Sequence, residues 1–393
     1  MRRIATALAC FAAALIAATS AHAQGTVKIG VVMSYSGQFA DPGAQIDNGI
    51  KLYMKQNGDT VAGKKLEIIR KDSGGIAPDV AKRLSQEVIV RDGATIIAGY
   101  DLTPNALAAA DVSAQAKTFM VNMNAATSVI TTKSPYMART SFTVWALNEA
   151  LGAWAYKNGV RKVYTLVSDF GPGHDGEAAF TRGFKEAGGE IIGSARYPVA
   201  NIDFTAFVQR AKDSNPDGIY IWVPGGPQPA AIGKAIAERG IDKSKVKIMG
   251  QGELTYEDAL KSMGDAGLGL ITAFHYDFNH QSAKNKAFVA AYNADFKRNP
   301  DMFSVGGYDG MHLIYEALKK TNGNTDGEAL IAAAKGMKWE SPRGPMMIDP
   351  ETRDVVETVY IRRVEKVDGK LVNVEFDTIP NAKDPWVPRN VKK

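Results

Sequence analysis

A repeated alternation between short β-branched runs and amphipathic stretches constrains the fold of this chain more than any other feature. Val27–Met33 (VKIGVVM) has the continuous apolar character of a buried strand, and Ala44–Gln56 then places Ile46, Ile50 and Tyr53 at helical spacing. The same pair of patterns recurs along most of the 393 residues. Repeated βα units of this kind predict open, mostly parallel sheets that are covered by helices on both faces.

Two runs of these units, separated by a break near Thr140–Val144, predict two doubly wound, Rossmann-like α/β lobes rather than one sheet. The predicted strands are Val27–Met33, Leu66–Arg70, Thr95–Ala98, Phe119–Asn122, Val163–Val167, Glu190–Ala195, Ile219–Val223, Val246–Met249 and Leu268–Phe274, then the antiparallel-looking Val356–Val364 and Leu371–Phe376. The predicted helices are Ala44–Gln56, Asp79–Val90, Pro104–Ala116, Leu147–Lys157, Gly176–Ala187, Phe204–Lys212, Pro229–Glu238, Ala283–Lys297, Gly310–Lys320 and Gly327–Lys335.

The first residues have the order of a secretory signal peptide. Arg2 and Arg3 form a positive head, Ile4–Thr19 is an apolar run, and Ala21–Ala23 has the small-x-small pattern of a cleavage site. The apolar run is too short to span a bilayer comfortably. We therefore predict a signal peptide of residues 1–23, cleaved at the end of this pattern, and a mature protein located in the periplasm.

Cleavage after Ala23 would remove the only cysteine, Cys10, which lies too early in the apolar run to be a convincing lipid-attachment site. The mature chain would then hold no thiol, disulfide or cysteine-ligated metal. Its formal net charge would fall from +5 to +3, because the signal carries two arginines and no acid. A nearly balanced charge without a long basic run argues against nucleic acid as a partner. No later stretch reaches the roughly 20 apolar residues of a membrane helix.

The loops after the predicted strands carry a series of short motifs at the edge where doubly wound sheets bind ligands. They are Ile29–Gly37 (IGVVMSYSG), Ala98–Asn105 (AGYDLTPN), Asn124–Thr127 (NAAT), Arg139-Thr140, Ser168–Asp175 (SDFGPGHD), Asp203-Phe204, Met249–Glu253 (MGQGE) and Gly307–Gly310 (GYDG). In order and spacing, the chain resembles the branched-chain amino-acid-binding (leucine/isoleucine/valine-binding) family of periplasmic ABC-transporter solute-binding proteins. The resemblance covers essentially the whole mature chain.

The resemblance implies the type I periplasmic binding fold, in which two lobes joined by three chain crossings close over a ligand. It places the first lobe at residues 25–142 and 276–349, the second lobe at residues 143–275 and 350–380, and a C-terminal tail at residues 381–393. Hinge motion is then expected at the crossings, for example at Phe142-Thr143.

Carried over residue by residue, the resemblance implies a first-lobe site that holds a carboxylate. Thr103 matches a residue that offers a hydroxyl, and Ala125 and Thr127 match a loop that offers a backbone group and a threonine. Ser36, in the loop after the first strand, is a further candidate. Independently of the resemblance, Thr103 precedes Pro104 at a helix start, where free amides favour an anion without any lysine or arginine.

The second lobe departs from the family pattern. Pro172 stands where the family has a ligand-contacting tyrosine, and a second such tyrosine falls in Pro224–Gly226. The acid that pairs with a ligand amine falls near Gly252 or Glu253, and Glu253 is the candidate. The carboxylate end of the site therefore looks intact, whereas recognition of an amino group is open.

Aromatic residues near the same loops would suit an aromatic or aryl carboxylate, because flat rings bury a large apolar area at low entropy cost. These candidates are Tyr100, Phe170, Tyr256 and Tyr276. Every site candidate also has a simpler interpretation. Thr103 could cap its helix, Thr127 could be a turn residue, Glu253 could be a solvated loop acid, and the aromatic residues could be ordinary packing.

Other classes of site fail on specific residues. His174-Asp175 and the pair of His275 and His280 each supply too few metal ligands at recognised spacing, so no metal and no cofactor is predicted. Gly58–Lys65 (GDTVAGKK) nearly matches a phosphate loop, but a lysine replaces the required Ser or Thr and a strand follows where a helix should. No Gly-x-Ser-x-Gly elbow occurs, and no His/Asp pair is placed to activate a nucleophile.

The sequence therefore predicts a monomeric binding protein, and not an enzyme, that delivers a small carboxylate to an inner-membrane ABC permease. An amino acid is the first interpretation of the ligand, and an aryl carboxylate is the alternative. An exported α/β hydrolase would need a nucleophile, a base and an acid at the strand ends, and we find no such set. A sensory module for a receptor would share the fold and differ only in its partner.

Overall fold

Two β-sheets organise the chain in the computed structural model, which describes residues 25–200 and 202–391. The predicted signal peptide and Cys10 lie outside these residues. The strands are β1 (Thr26–Met33), β2 (Thr60–Val61), β3 (Lys64–Asp72), β4 (Ile96–Gly99), β5 (Phe119–Asn122), β6 (Met137–Arg139), β7 (Lys162–Ser168), β8 (Glu190–Tyr197), β9 (Gly218–Trp222), β10 (Lys247–Gln251), β11 (Ile271–Phe274), β12 (Lys338–Ser341), β13 (Gly344–Ile348), β14 (Val355–Val367) and β15 (Lys370–Ala382).

The helices surround these sheets and alternate with the strands, as the pattern predicted. They are α1 (Ala40–Asn57), α2 (Pro78–Val90), α3 (Thr103–Ala116), α4 (Val144–Lys157), α5 (Gly171–Glu186), α6 (Thr205–Asp213), α7 (Gln228–Glu238), α8 (Glu257–Met263), α9 (Ala283–Phe296), α10 (Met302–Lys320), α11 (Gly327–Ala334) and α12 (Trp386–Asn390). Within the described residues, no helix combines the length and the apolar character that a membrane span requires.

The first sheet has the strand order β2-β3-β1-β4-β5-β6. All its pairs are parallel except the one between the short β2 and β3. Val31 and Val32 point to opposite faces of the central strand β1, and both are buried. Burial on both faces explains why this strand has a continuous apolar sequence instead of an alternating one.

The second sheet runs β8-β7-β9-β10-β11-β14, with β15 paired to β14. β7 to β11 are parallel, and the long hairpin β14–β15 adds two antiparallel strands. The two alternating segments at the end of the predicted fold are this hairpin. The predicted α/β architecture of two doubly wound lobes is therefore confirmed.

The chain passes between the two sheets at three places. The first passage lies between β6 and α4, and the second follows β11, after which α9 and α10 return to the first sheet. The third lies between α11 and β14, where the chain reaches the second sheet through the hairpin β12–β13 and residues 349–354. The first and third passages are tied together, because Arg139 Nε donates a 2.7 Å hydrogen bond to Asp354 Oδ1 and both side chains are fully buried.

Helix α10 packs against α1 of the first lobe through glycines that permit close contact between the two backbones. A Cβ atom on Gly49 of α1 would lie 2.0 Å from the Ser304 carbonyl oxygen of α10, and one on Gly307 of α10 would lie 2.1 Å from the Ile46 carbonyl oxygen. Both positions therefore require glycine. This explains part of the Gly307–Gly310 motif by packing rather than by ligand binding.

The hairpin β12–β13 was not predicted, and its pairing differs from the lobe assignment of residues 276–349. Its last residues pair with the start of β14, through Met347 with Val356 and Ile348 with Val355, so the hairpin extends the second sheet. It also contacts the first lobe, because Trp339 Nε1 donates to Asp309 Oδ1 of α10 at 3.1 Å. Such short segments have too few residues for a periodic signal, and their pairing is non-local.

Candidate ligand-binding cleft

A cleft lies between the lobes, at the carboxyl ends of the parallel strands, and its space together with the adjoining open solvent measures about 460 Å³. The loops after β4 and β5 line it on one side, and the loops after β7, β9 and β10 line it on the other. The lining residues are Phe39, Pro42, Asp101, Leu102, Thr103, Asn124, Ala125, Ala126, Phe142, Phe170, Pro172, Trp222, Pro224, Gly225, Glu253 and Phe303. This is the position at which ligands bind in doubly wound sheets.

Two threonine hydroxyls meet at one end of the cleft. Thr103 Oγ1 and Thr127 Oγ1 lie 2.9 Å apart, and both residues are almost completely buried. Thr103 is the first residue of α3, and its N-cap neighbour Leu102 has no side-chain group that could cap the helix. The first amides of the 14-residue α3 consequently keep their partial positive charge beside these hydroxyls.

The start of a second helix faces the same threonines from the other lobe. A Cβ atom on Gly171, the first residue of α5, would lie 3.6 Å from Thr103 Cγ2 and 3.6 Å from Thr127 Oγ1. The N-cap residue of α5 is Phe170, which also provides no side-chain cap. Two helix N-termini and two hydroxyls therefore converge on one point, which suits a small anion.

Ala125 lines the cleft, but its backbone groups are already in use. Its amide donates to the Tyr100 carbonyl oxygen at 3.0 Å, and its carbonyl oxygen accepts from Asn122 Nδ2 at 2.7 Å and from Arg139 Nη1 at 3.1 Å. The expectation that Ala125 offers a backbone group to a ligand does not fit this arrangement. The buried Arg139 instead fixes the loop that carries Thr127, whose carbonyl oxygen it also binds at 3.0 Å.

The walls of the cleft are mainly apolar and include five aromatic rings. The rings of Phe170 and Trp222 are in edge-to-face contact at 5.5 Å, both from the second lobe. Phe39 and Phe303 line the first-lobe side, and Phe142 lies at the first chain passage, stacked on the ring of His275 at 4.8 Å. Aromatic rings at these positions offer flat apolar surfaces to a flat ligand.

Glu253 is the acidic residue of the second-lobe wall, in a short 3-10 turn after β10. Gln251 Nε2 donates to Glu253 Oε2 at 2.6 Å, and Gln251 Oε1 in turn accepts from Asn148 at 2.9 Å and from Trp222 Nε1 at 3.0 Å. Burial raises the pKa of Glu253 to about 8. Glu253 is thus a buried, oriented carboxyl and not a solvated loop acid.

Asp101 is a second buried carboxyl in the cleft, from the first lobe. Its Oδ2 atom accepts a hydrogen bond from the Ser34 amide at 3.2 Å, and burial raises its pKa to about 6. Among the described residues, neither Asp101 Oδ1 nor Asn124 Oδ1 has a hydrogen-bond partner, although both atoms are buried. Asn124 Nδ2 donates to the Asp101 carbonyl oxygen at 2.7 Å, so the two residues form one unit.

Three predicted site residues lie away from the cleft. Tyr100 is fully buried in the first lobe, where its hydroxyl bonds Ser85 Oγ at 2.8 Å. Tyr276 is buried among α9 and α10, and its hydroxyl donates to Asn285 Oδ1 at 3.0 Å. Ser36 is exposed and its side chain bonds the carboxylate of Asp72. Tyr256, another aromatic candidate, lies behind the second-lobe wall of the cleft, where its hydroxyl donates to the Gly226 carbonyl oxygen at 2.9 Å.

The cleft also contains residues that the sequence analysis did not select. The polar ones, Asp101 and Asn124, directly follow predicted strands, so their positions alone were a usable signal. Phe303 was missed because the predicted helix began at Gly310, whereas α10 begins at Met302 with a capping box from Asp301. Within the described residues, no group of three or more His, Cys, Asp or Glu side chains could hold a metal ion.

Comparisons with known proteins agree with this architecture. The family model described as periplasmic binding protein matches residues 26–370. A curated relative from Brucella melitensis, Leu/Ile/Val-binding protein homolog 6, is 40% identical over 389 residues, which cover 98% of this chain and 99% of the relative.

Two similar solved structures contain aromatic acids. A solute binding protein of an ABC transporter from Rhodopseudomonas palustris BisB5, in complex with 3,4-dihydroxybenzoic acid, is 54% identical with a TM-score of 0.88 and covers 92% of this chain and 99% of its own. Another from Rhodopseudomonas palustris HaA2, in complex with p-hydroxybenzoic acid, is 41% identical with a TM-score of 0.90 and covers 93% of this chain and 100% of its own.

Proposed function

Because this chain belongs to the periplasmic binding protein family and is a solute-binding protein of an ABC transporter, we propose that its cargo is a hydroxylated benzoic acid. The observation that carries this proposal is the combination within one cleft of an anion site at one end and aromatic walls along the rest. The complexes of the two similar proteins with hydroxylated benzoic acids support it.

The carboxylate of the ligand is proposed to bind between Thr103, Thr127 and the starts of α3 and α5. One threonine hydroxyl can donate to the other, and the second hydroxyl can then donate to the ligand. No lysine or arginine is among the residues that line the cleft in the described chain, so hydroxyls and helix amides would have to hold the charge.

The ring of the ligand is proposed to lie between the aromatic walls. Phe170 and Trp222 would contact it from the second lobe, and Phe39 and Phe303 from the first. Pro172 and Pro224 extend the apolar surface. The family resemblance places one ligand-contacting tyrosine at Pro172 and another within Pro224–Gly226. A flat ring fits such walls better than a branched aliphatic side chain does.

Ligand contacts from both lobes would favour a closed state over an open one. The three passages between the sheets provide the hinges, and the closed form would dock on the transporter permease. We further propose that the chain is exported with cleavage after Ala23, acts in the periplasm as a monomer and performs no chemistry. These proposals follow from the signal-like N-terminus and from the absence, in the part of the chain described, of a catalytic set in the cleft.

An amino acid is the second candidate cargo, and Glu253 is the observation that favours it. A carboxylate at this position could pair with a ligand amine, as the family resemblance implies. Burial that raises the pKa of Glu253 to about 8 works against this role, because a largely protonated carboxyl is a poor partner for an ammonium group.

Isothermal titration calorimetry on the purified chain starting at Gln24 tests the proposal. The ligands are 4-hydroxybenzoate, 3,4-dihydroxybenzoate, the methyl ester of 4-hydroxybenzoate and leucine. We expect both acids to bind, and we expect the ester to bind at least tenfold more weakly because it lacks the charge. Binding of leucine without binding of either acid would contradict the proposal and support the amino-acid alternative.

A further inference from the structure

The cleft contains buried hydrogen-bond acceptors away from its anion site. These acceptors indicate which substituents a bound benzoic acid carries. Asp101 Oδ1 and Asn124 Oδ1 are buried in the cleft and make no hydrogen bond of ordinary length among the described residues, and the hydroxyl of Ser34, which is likewise buried and unbonded, lies beside the Asp101 carboxyl. Buried polar groups in proteins are nearly always paired, so an unpaired acceptor at a binding site indicates a ligand that brings a donor. A carboxylate and an unsubstituted ring bring none.

Asp101, the acid of the first lobe, lies toward β1, whereas the Thr103–Thr127 pair lies toward β5. The relevant strand order is β1-β4-β5, and the Thr103–Thr127 contact joins the ends of β4 and β5. Asp101 is instead bonded to the Ser34 amide, at the end of β1. Its carboxyl group therefore occupies the β1 side of the cleft.

Glu253, the acid of the second lobe, is also displaced from the anion site. There the order is β7-β9-β10, so Gly171, after β7, and Glu253, after β10, are two strand spacings apart, roughly 10 Å. The β9 loop between them faces the first-lobe loop after β1, because a Cβ atom on Gly226 would lie 3.2 Å from the Gln38 carbonyl oxygen. The two acids thus line the same cleft from opposite lobes, each displaced from the anion site.

We propose that Asp101 and Glu253 together recognise ring hydroxyl groups on the edge of the ligand opposite its carboxylate. They are specificity-determining residues that select hydroxylated benzoic acids against benzoate. This inference rests on the proposed function and names the substrate class of the same cleft.

The chemistry of the two carboxyls is complementary toward a phenolic hydroxyl, which can both donate and accept. Asp101 Oδ1 is an acceptor that a hydroxyl proton can satisfy. Burial raises the pKa of Glu253 to about 8, so at neutral pH this group largely keeps its proton and can donate to a hydroxyl oxygen. Gln251, held by Asn148 and Trp222, orients the Glu253 carboxyl for this contact.

The test is a calorimetric comparison of benzoate, 4-hydroxybenzoate and 3,4-dihydroxybenzoate on the wild-type chain and on Asp101→Ala and Glu253→Met. On the wild type, both hydroxylated acids should bind at least tenfold more tightly than benzoate. Each variant should lose at least tenfold in affinity for at least one hydroxylated acid while benzoate changes less than threefold. The exposed Ser36→Ala serves as a control that should leave all three affinities unchanged.

Thermal unfolding of each variant shows whether it folds, and Asp101→Leu and Glu253→Ala, which also lack the carboxyl group, replace a variant that does not. Equal loss for benzoate and its hydroxylated derivatives would overturn the inference, and so would equal affinity of the wild type for all three. Those results leave the proposed function intact, whereas a wild type that binds none of the three acids would refute the proposed function itself.

Discussion

At the scale of single residues, the contact between Thr103 and Thr127 organises the anion end of the cleft. The two residues come from different loops, and each is almost fully buried. Their hydroxyls can satisfy each other in the free protein, so the anion site carries no unpaired hydroxyl before a ligand arrives. A ligand carboxylate would replace or extend this bond with a charge-assisted one, which is the stronger kind.

Replacing either threonine with valine should weaken binding of a benzoic acid without changing the shape of the cleft. Hydrogen bonds to charged groups contribute about 1.5–3 kcal/mol, so Thr103→Val and Thr127→Val should each cost about tenfold or more in affinity. Calorimetry with 4-hydroxybenzoate measures this. Normal binding by both variants would mean that the carboxylate is held elsewhere.

Residues predicted from sequence lie at the cleft where their position at a strand end decides, and lie away from it where side-chain direction decides; contact of any of them with a ligand stays a prediction. Thr103, Thr127 and Glu253 were selected by the family resemblance and Phe170 as an aromatic residue near the same loops, and the structure brings all four to the cleft or its edge. Tyr100 follows the same strand as Thr103, but its backbone has a positive φ of 59° and its ring turns into the core. No sequence pattern indicates such a local backbone conformation.

At the scale of elements, β14 carries two adjacent arginines with opposite environments. Arg362 is buried, and its guanidinium donates to the Tyr276 carbonyl oxygen at 2.7 Å, to Thr272 Oγ1 at 3.1 Å and to Asp277 Oδ2 at 3.3 Å. These partners tie the strand to the second passage between the lobes. Arg363 points to the opposite face, where it pairs with Glu365 and is half exposed.

This pair of neighbours provides a matched test of how the passage is stabilised. Arg362→Met should lower the free energy of unfolding by about 3–5 kcal/mol, because it leaves Asp277 buried without its charged partner. Arg363→Met removes a surface ion pair with Glu365 and an exposed contact with the Phe376 ring, and should cost about 1 kcal/mol. Chemical denaturation monitored by circular dichroism measures both. Similar losses of unfolding free energy in the two variants would show that burial of the Arg362–Asp277 pair does not determine its contribution to stability.

The elements were largely predictable because the βα period is strong and parallel strands are buried on both faces. β5 was predicted with the bounds that the structure shows, and most other elements differ by a few residues at their ends. The exceptions are the strands β2, β6, β12 and β13, each of five residues or fewer, and the short helices α8 and α12, of seven and five residues. The pairing of these strands is determined by distant parts of the chain, so a local pattern cannot reveal it.

At the scale of the whole molecule, the lobes are held together at the rim of the cleft as well as at the hinges. Arg298, between α9 and α10 of the first lobe, forms ion pairs with Asp41 of the same lobe and with Asp258 of α8 in the second lobe. Asn299 Nδ2 also donates to Glu257 Oε1 at 3.1 Å across the same rim. These contacts join the two lobes in this structure, and we expect opening of the cleft to separate them.

Loss of a rim contact should therefore weaken every ligand by the same factor. Asp258→Asn removes the second-lobe partner of Arg298 and lowers the population of the closed state, and the apparent affinity falls with that population. Since a surface ion pair contributes up to about 1 kcal/mol, we expect a loss of up to about fivefold for both 4-hydroxybenzoate and 3,4-dihydroxybenzoate. Small-angle X-ray scattering should show a larger radius of gyration for the unliganded variant than for the wild type.

Asp295→Asn is the matched control, because Asp295 pairs with Lys55 within the first lobe and not across the cleft. It should leave both affinities and the radius of gyration unchanged. An equal loss of affinity for both ligands in Asp258→Asn, with an unchanged control, would show that Asp258 contributes to closure and not to ligand contact. Substitutions at the anion or hydroxyl end of the cleft act instead on particular groups of the ligand. A loss of affinity that differed between the two ligands would instead mean that Asp258 affects the bound ring directly, and the proposed role in closure would be wrong.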